Sequence, residues 1–186
     1  ALLGPKRQFT LEWASVYTFA CQRMVQFIHG PVLFAGDSAH GVSPFGARGA
    51  NSGVQDADNL GWKLDWLLRG RAGPALLHSY ATEREYAADE NIGHSTRATD
   101  FITPKSRTSR TFRNSVLALA KDYPFARKLV NSGRLSVPSF LTESVLNTPD
   151  AEAFAGQMVP GAPMDDAPLQ LLGQDAWLLD QVGKGF

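Results

Sequence analysis

The chain predicts a mixed α/β fold, and three observations carry that prediction. A short apolar run from Val32 to Ala35 has the composition of a buried strand. A polar loop follows, holding Gly36-Asp37, Pro44, Gly46, Gly49 and Gly53. Val54, Ala57, Gly61, Leu64 and Leu68 then recur at 3- and 4-residue steps, the spacing of an amphipathic helix. A strand that feeds a glycine-rich loop ending on a helix N-terminus presents unpaired N–H groups to an electron-rich ligand.

The totals exclude several classes. With 186 residues and 44% hydrophobic content, the chain has room for one good-sized domain or parts of two. Lys+Arg and Asp+Glu stand at 18 each, so the basic excess of a nucleic-acid binder is absent. No apolar run approaches the roughly 18 residues of a membrane span, and no basic start leads into an apolar stretch. Cys21 has no partner for an internal disulfide, and no Cys/His set has zinc spacing. These features predict a cytoplasmic protein without a metal centre. The chain opens on Ala1 and stops at Gly183-Lys184-Gly185-Phe186, and both ends read as cuts through something longer.

Ahead of the loop, Phe9, Leu11 and Trp13 alternate with Thr10 and Glu12, Val16 to Phe19 is rich in β-formers, and Met24 to Ile28 is a second run. Residues 8–28 therefore predict two or three strands turning near Ala20 to Arg23, with Trp13, Tyr17 and Phe19 in the sheet core. The helix after the loop stops at Arg69-Gly70-Arg71. Pro74 fits the first turn of a second helix carrying Leu76, Leu77, Tyr80, Arg84 and Ala87 to about Arg97, polar enough that part of it should be solvated. Thr, Ser and Arg with Pro104 make Asp100 to Arg113 a mobile connection or lid. Helical patterns follow at Phe112–Ala120 and Pro124–Val130, with a break at Ser132-Gly133. Ser136 to Ser144 is ambiguous, Thr148-Pro149 opens a linker to Asp166, and Leu169–Leu172 and Trp177–Val182 are apolar runs.

The chemistry concentrates in the loop. Asp37 stands just past the strand end, where open α/β sheets seat ligands. Its carboxylate only accepts hydrogen bonds, which suits a polyol and not a phosphate. Gly46, Gly49 and Ala50-Asn51 offer backbone N–H groups with little side-chain obstruction. A flavin needs both a polyol contact and donors for a ring carbonyl. On residue types alone, a cap or turn at Asp37 and tight turns at the glycines account for the loop equally well.

At the level of whole motifs, residues 31–61 resemble the second FAD-binding motif of the aromatic-ring flavoprotein monooxygenases, the para-hydroxybenzoate and phenol hydroxylase superfamily. The family pattern is Gly-Asp, two small residues and His, then Pro-x-Gly-x-x-Gly-x-Asn-x-Gly and an acidic residue; here it reads Gly36-Asp37-Ser38-Ala39-His40, then Pro44-Phe45-Gly46-Ala47-Arg48-Gly49-Ala50-Asn51-Ser52-Gly53, then Asp56, Asn59, Leu60, Trp62 and Lys63. Tyr80-Ala81-Thr82-Glu83-Arg84 is similar to the family's downstream Tyr-x-x-Glu-Arg. The pattern resembles that of the hydroxyphenylpropionate hydroxylase-like branch.

The resemblance implies the C-terminal part of a glutathione-reductase-like FAD-binding fold. Residues 1–30 would end a substrate-binding sheet, 31–100 belong to the FAD-binding domain, 101–150 form a helical segment, and 151–186 a linker and the start of a thioredoxin-like domain. It implies Asp37 on the ribitol hydroxyls, Pro44 at the isoalloxazine edge, and the N–H groups of Ala50 and Asn51 toward the pyrimidine carbonyl. Gly36, Gly46 and Gly49 complete the cofactor set, with Arg48 as a charge favouring reduced, anionic flavin or else a solvated surface residue. It assigns no catalytic residue. His40 reads as a packed, hydrogen-bonded loop residue, Trp62, Lys63 and Trp66 as helix packing and surface, and His78 and His94 carry no role. The implied activity is hydroxylation of a small phenolic or other aromatic substrate with FAD, NAD(P)H and O2, in a protein that is compatible with a homodimer and touches neither nucleic acid nor membrane. A Gly-x-Gly-x-x-Gly fingerprint for the ADP half of FAD does not occur in this chain. The resemblance therefore implies an N-terminal portion as its partner, and weak FAD binding and no turnover without it. A same-fold halogenase or oxidative decarboxylase, and a non-catalytic binding or oligomerisation module, are the alternatives.

Overall fold

The structure, a computed structural model, describes residues 10–130, 137–153, 156 and 158–182. Its frame is a pair of long helices, α1 (Arg48–Leu68) and α2 (Ala75–Ile102). The turn between them closes on Gly70, whose φ of 67° is a left-handed value suited to glycine, with Arg69 and Gly70 N–H groups bonded back to Asp65 and Leu67. Contacts at Arg48–Asn91, Asp56–Arg84 and Lys63–Glu83 show that the two helices run antiparallel.

The face they share is polar, which corrects the predicted apolar stripe on α1. Val54 is 68% exposed and Leu68 82%, while Ala57 and Gly61 also face outward. The buried residues of α1 are Arg48, Ser52, Asp56 and Lys63. Those of α2 are Ser79, Tyr80, Glu83, Arg84, Ala87, Ala88, Asn91 and Ser95, so its polar side is the packed side rather than the solvated one. Buried polar groups are tolerated only when partnered, and each helix supplies partners at matching heights on the other.

Four short strands form two antiparallel pairs: β1 (Gln22–Arg23) with β4 (His40–Gly41), and β2 (Ile28–His29) with β3 (Val32–Leu33). The expected buried strand at Val32–Ala35 is thus a two-residue pairing, and Val32 is half-exposed. The apolar core lies between this hairpin and α2: Phe27, Ala39, Tyr80 and Ala88, with Met24, Ile28, Phe34 and Leu60 packed against it. Phe27 and Tyr80 rings sit 6.5 Å apart.

Upstream of β1 the predicted strands do not form. Residues 10–21 have no regular structure, and Leu11, Trp13, Val16 and Tyr17 are exposed rather than in a sheet core. Among the described residues no strand runs beside them, and an alternating sequence cannot hold strand geometry without a neighbour to take its N–H and C=O groups. Phe19 is only partly buried, stacked on Tyr17 at 6.1 Å. Phe9 lies outside the described residues.

The expected lid at Asp100–Arg113 is mostly helix. α2 runs on to Ile102, beyond the predicted Arg97, and α3 (Arg107–Ala120) starts after Ser106, whose Oγ accepts the Ser109 N–H at 3.0 Å as an N-cap. α4 (Pro124–Val130) follows, and the break at Ser132-Gly133 lies outside the described residues, as does the end at Gly183–Phe186. Residues 137–153 hold no helix or strand. The two late apolar runs enter β5 (Pro168–Leu171), β6 (Gln174–Trp177) and α5 (Leu178–Val182); β5 and β6 join through a turn with left-handed Leu172 and Gly173. The result is a mixed helix and sheet fold. Among the described residues no helix is long and apolar enough to cross a membrane.

Candidate functional site

The loop between β3 and α1 is held from behind by α2 along a single helix face. Tyr80 OH donates to the Phe34 carbonyl at 2.6 Å, fixing the strand end. Burial pushes the Tyr80 phenol well above its usual range, so it stays a donor. Next, Gly36 adopts a left-handed φ of 58° and lies against α1, where a side chain on Gly53 would stand 3.5 Å from the Gly36 Cα. Its N–H donates to Asp56 Oδ2 at 2.8 Å, which His40 Nε2 also meets at 2.6 Å, while Arg84 Nε donates to Oδ1 at 2.6 Å. Further along, Ser43 is tied to α2 by Ser95 and Thr99, with both hydroxyl contacts at 2.8 Å. Three anchors thus bracket the segment from Phe34 to Ser43.

Asp56 is fully buried. Burial pushes its carboxyl up, but hydrogen bonds from His40, Arg84 and Gly36 outweigh that and hold it below the usual carboxylate range. Glu83 is similar: burial raises its pKa, and bonds from Lys63 (2.6 Å), Ser144 (2.5 Å) and Asn59 (2.7 Å) bring it below normal. The sign follows directly. A carboxyl whose folded pKa is depressed stabilises the fold above its unfolded pKa and loses that contribution as pH falls through the folded value. The melting temperature is therefore expected to fall steeply below about pH 4, the unfolded carboxyl range, and thermal melts from pH 7 to pH 3 check this. A flat profile across that range would contradict the assignment of these carboxylates as charged partners.

The loop then enters α1 through two successive left-handed residues, Gly46 (φ 93°) and Ala47 (φ 51°). Alanine in that region is strained, and such strain collects where a backbone is aimed for a purpose. Ala47 supplies no side-chain cap, so the first N–H groups of α1 have no local acceptor from it. The residues of that turn line a cleft of about 530 Å3, with Asp37, Pro44, Ala47, Arg48, Gly49 and Ala50 on one side and Tyr17 to Ala20 and Gly41 to Ser43 forming the rest of its wall.

The structure thus brings Asp37, Pro44, Arg48, Gly49 and Ala50 to one cleft. Gly36 sits behind Asp37, held by Asp56. Gly46 and Asn51 line an adjoining cleft of about 360 Å3 with Val137 and Pro138, and Asn51 Nδ2 also donates to the Ala47 carbonyl at 2.8 Å. Arg48 is 7% exposed, which removes the surface-charge alternative; its guanidinium donates to Asn91 Oδ1 at 2.5 Å and to the Val137 carbonyl at 2.7 Å. His40 is buried on Asp56, and Lys63, read as surface, is fully buried on Glu83. Burial outweighs the Glu83 bond and lowers the Lys63 pKa.

Sequence reasoning missed the buried roles of Asp56, Lys63, Glu83, Arg84 and Asn91. A signal existed: Arg48, Ser52, Asp56, Asn59 and Lys63 repeat at helical spacing, as the apolar residues do. Two faces of one helix satisfied the same period, and only one was followed.

Comparison with known proteins locates the same region. Residues 5–95 match the family model described as an FAD binding domain. A 3-(3-hydroxy-phenyl)propionate/3-hydroxycinnamic acid hydroxylase of Mycolicibacterium gilvum is 33% identical over 92% of this chain and 30% of its own length. A putative polyketide hydroxylase of Streptomyces coelicolor is 55% identical over 71 residues, 38% of this chain and 11% of its own. Among solved structures, the rebeccamycin biosynthetic enzyme RebC with reduced flavin aligns with a TM-score of 0.60 and 27% identity, over 87% of this chain and 32% of that one. The flavin-dependent monooxygenase PieE, in complex with FAD and substrate, shares the fold at 23% identity with a TM-score of 0.62, over 84% of this chain and 33% of that one. The chain spans about 30% of the length of the curated hydroxylases it matches.

Proposed function

From the match of residues 5–95 to the FAD binding domain model, we propose that the cleft seats the ribitol and isoalloxazine portion of FAD in an aromatic-ring monooxygenase. One observation carries the reading: the Asp37 carboxylate and the open first turn of α1 line the same cleft, with Pro44 in the same wall. A carboxylate accepts from the ribitol hydroxyls. Backbone N–H groups at Gly49 and Ala50, which line this cleft, and at Asn51, next to them in the first turn of α1, would stabilise negative charge at the pyrimidine carbonyl, and the helix N-terminus would add to that. Gly36, Gly46 and Gly49 let the backbone come close.

When bound, the flavin supplies the redox chemistry, taking electrons from NAD(P)H and activating O2. The residues of this chain bind it and orient it. The Phe34–Ser43 anchors on α2 keep Asp37 in place, and Tyr17 to Ala20 form the wall of the cleft opposite the helix turn. The substrate class is a small phenolic or other aromatic compound, in keeping with the hydroxylases the chain is similar to. Aromatic catabolism, cytoplasmic location, assembly with the rest of a longer protein, and a thioredoxin-like character for residues 151–186 belong to the same proposal.

Titration of the chain with riboflavin and FAD, read by quenching of flavin fluorescence, tests it. Riboflavin is expected to bind, and FAD no more than about tenfold tighter, because this chain has no glycine fingerprint for the ADP half. Asp37→Ala should weaken both by about tenfold or more, the range for losing a charge-assisted hydrogen bond. Asp37 is exposed and outside the buried network, so the variant should fold. Equal riboflavin affinity in Asp37→Ala and the parent chain would sink the assignment.

A further inference from the structure

We propose that Arg48 is a positioning residue that couples segment 137–147 to the flavin cleft through the fork of its guanidinium, not through its charge on the cofactor. The proposal rests on the flavin reading of the cleft. Arg48 is the first residue of α1, so its main chain belongs to the turn that faces the cleft. Its side chain separates that cleft from the adjoining one, which Val137 and Pro138 close on the far side.

Nη1 donates to Asn91 Oδ1 and Nη2 to the Val137 carbonyl, at 2.5 Å and 2.7 Å. Asn91 in turn donates to Ser52 Oγ at 3.0 Å, which fixes the next turn of α1. Segment 137–147 makes no helix or strand. Its ties to the helix pair include Val137, held by Arg48, and Ser144, held by Glu83. The first of these ties is made by the residue that opens the flavin-facing turn.

A guanidinium presents several donors in a rigid plane and reaches an amide oxygen and a carbonyl at once. A lysine ammonium is a compact point charge on a flexible stem and does not reproduce that fork. The Asn91 and Val137 acceptors are neutral, so in these two bonds the geometry of the donors matters more than the charge. Because the turn and segment 137–147 share Arg48, a ligand that orders the first also orders the second, and by linkage the coupling is reciprocal.

Arg48→Lys and Arg48→Met separate fork from charge. For each variant and the parent, riboflavin affinity is read by fluorescence quenching, and hydrogen exchange is followed over amides 137–147 with and without riboflavin. The expected result is that both variants weaken riboflavin by about tenfold, exchange faster over 137–147 without ligand, and lose the riboflavin-induced protection there. Ser144→Ala, which removes the tie to Glu83, should speed exchange locally and keep that protection. The proposal is overturned if Arg48→Lys matches the parent in affinity and exchange while Arg48→Met does not, which is the signature of charge. It is equally overturned if neither variant changes exchange over 137–147. Should Arg48→Met not fold, Arg48→Lys alone decides. If the parent chain binds no riboflavin, the flavin reading fails, and ligand-free exchange in Arg48→Lys still decides whether the fork holds the segment.

Discussion

Asp56→Ala is expected to destabilise the chain by about 3–5 kcal/mol, the range for removing one partner of a buried ion pair. For a chain of this size that corresponds to a drop of about 10 °C in melting temperature. The reason is the number of groups that depend on one carboxylate. Arg84 would be left as a buried cation facing an apolar methyl, His40 would lose its ring partner, and the Gly36 N–H would be unpaired. The last loss matters for the cleft, because Gly36 sets the turn that presents Asp37. Riboflavin affinity should therefore fall in Asp56→Ala although Asp56 does not line the cleft. Asp56→Asn keeps the shape and one acceptor and should restore part of the stability. Thermal melts of the three proteins decide; a shift of under about 2 °C for the alanine variant, roughly 1 kcal/mol or less, would mean that the network holds without its centre.

Lys63→Met is expected to cost about 3 kcal/mol for the mirror-image reason, since the Glu83 carboxylate would stay buried without its cation. Methionine fills much of the volume of the lysine stem, so the loss reports charge and hydrogen bonding rather than a cavity. Asn59 and Ser144 continue to donate to Glu83, which keeps the effect below that of Asp56→Ala. Adding Glu83→Gln to Lys63→Met should recover stability, because a neutral amide is far cheaper to bury than an unpaired carboxylate. Urea denaturation of the single and double variants measures the coupling. Simple additivity of the two losses would show that the pair does not act as a unit.

Both predictions concern the row of residues that the sequence presented as motif letters without a physical task. Tyr80, Glu83 and Arg84 lie at helical spacing, and the structure turns each toward a different anchor: Tyr80 to the Phe34 carbonyl, Glu83 to Lys63, Arg84 to Asp56. Their recurrence beside the glycine loop now has a cause. Tyr80 and Arg84 hold the loop, Glu83 holds α1 at Lys63 and the later segment at Ser144, and none of the three lines the cleft.

Local rules in the sequence were enough for the order of loop and helices, the helix stop at Gly70 and the placing of Asp37, Pro44, Arg48, Gly49 and Ala50 beside one another, whereas the left-handed Ala47 and the wall from Tyr17 to Ala20 were not legible there. Those rules are where a helix can end and which backbone stays free of side chains. Which face of α1 is buried was set by packing, because an apolar and a polar series share one period along that helix and the choice belongs to the neighbour. The neighbour is α2, whose Arg84, Glu83 and Asn91 lie far away in sequence and offer partners for the polar series alone. The same holds upstream, where residues 10–21 alternate as a strand should and yet pair with nothing among the described residues. A period is local, whereas a partner is not.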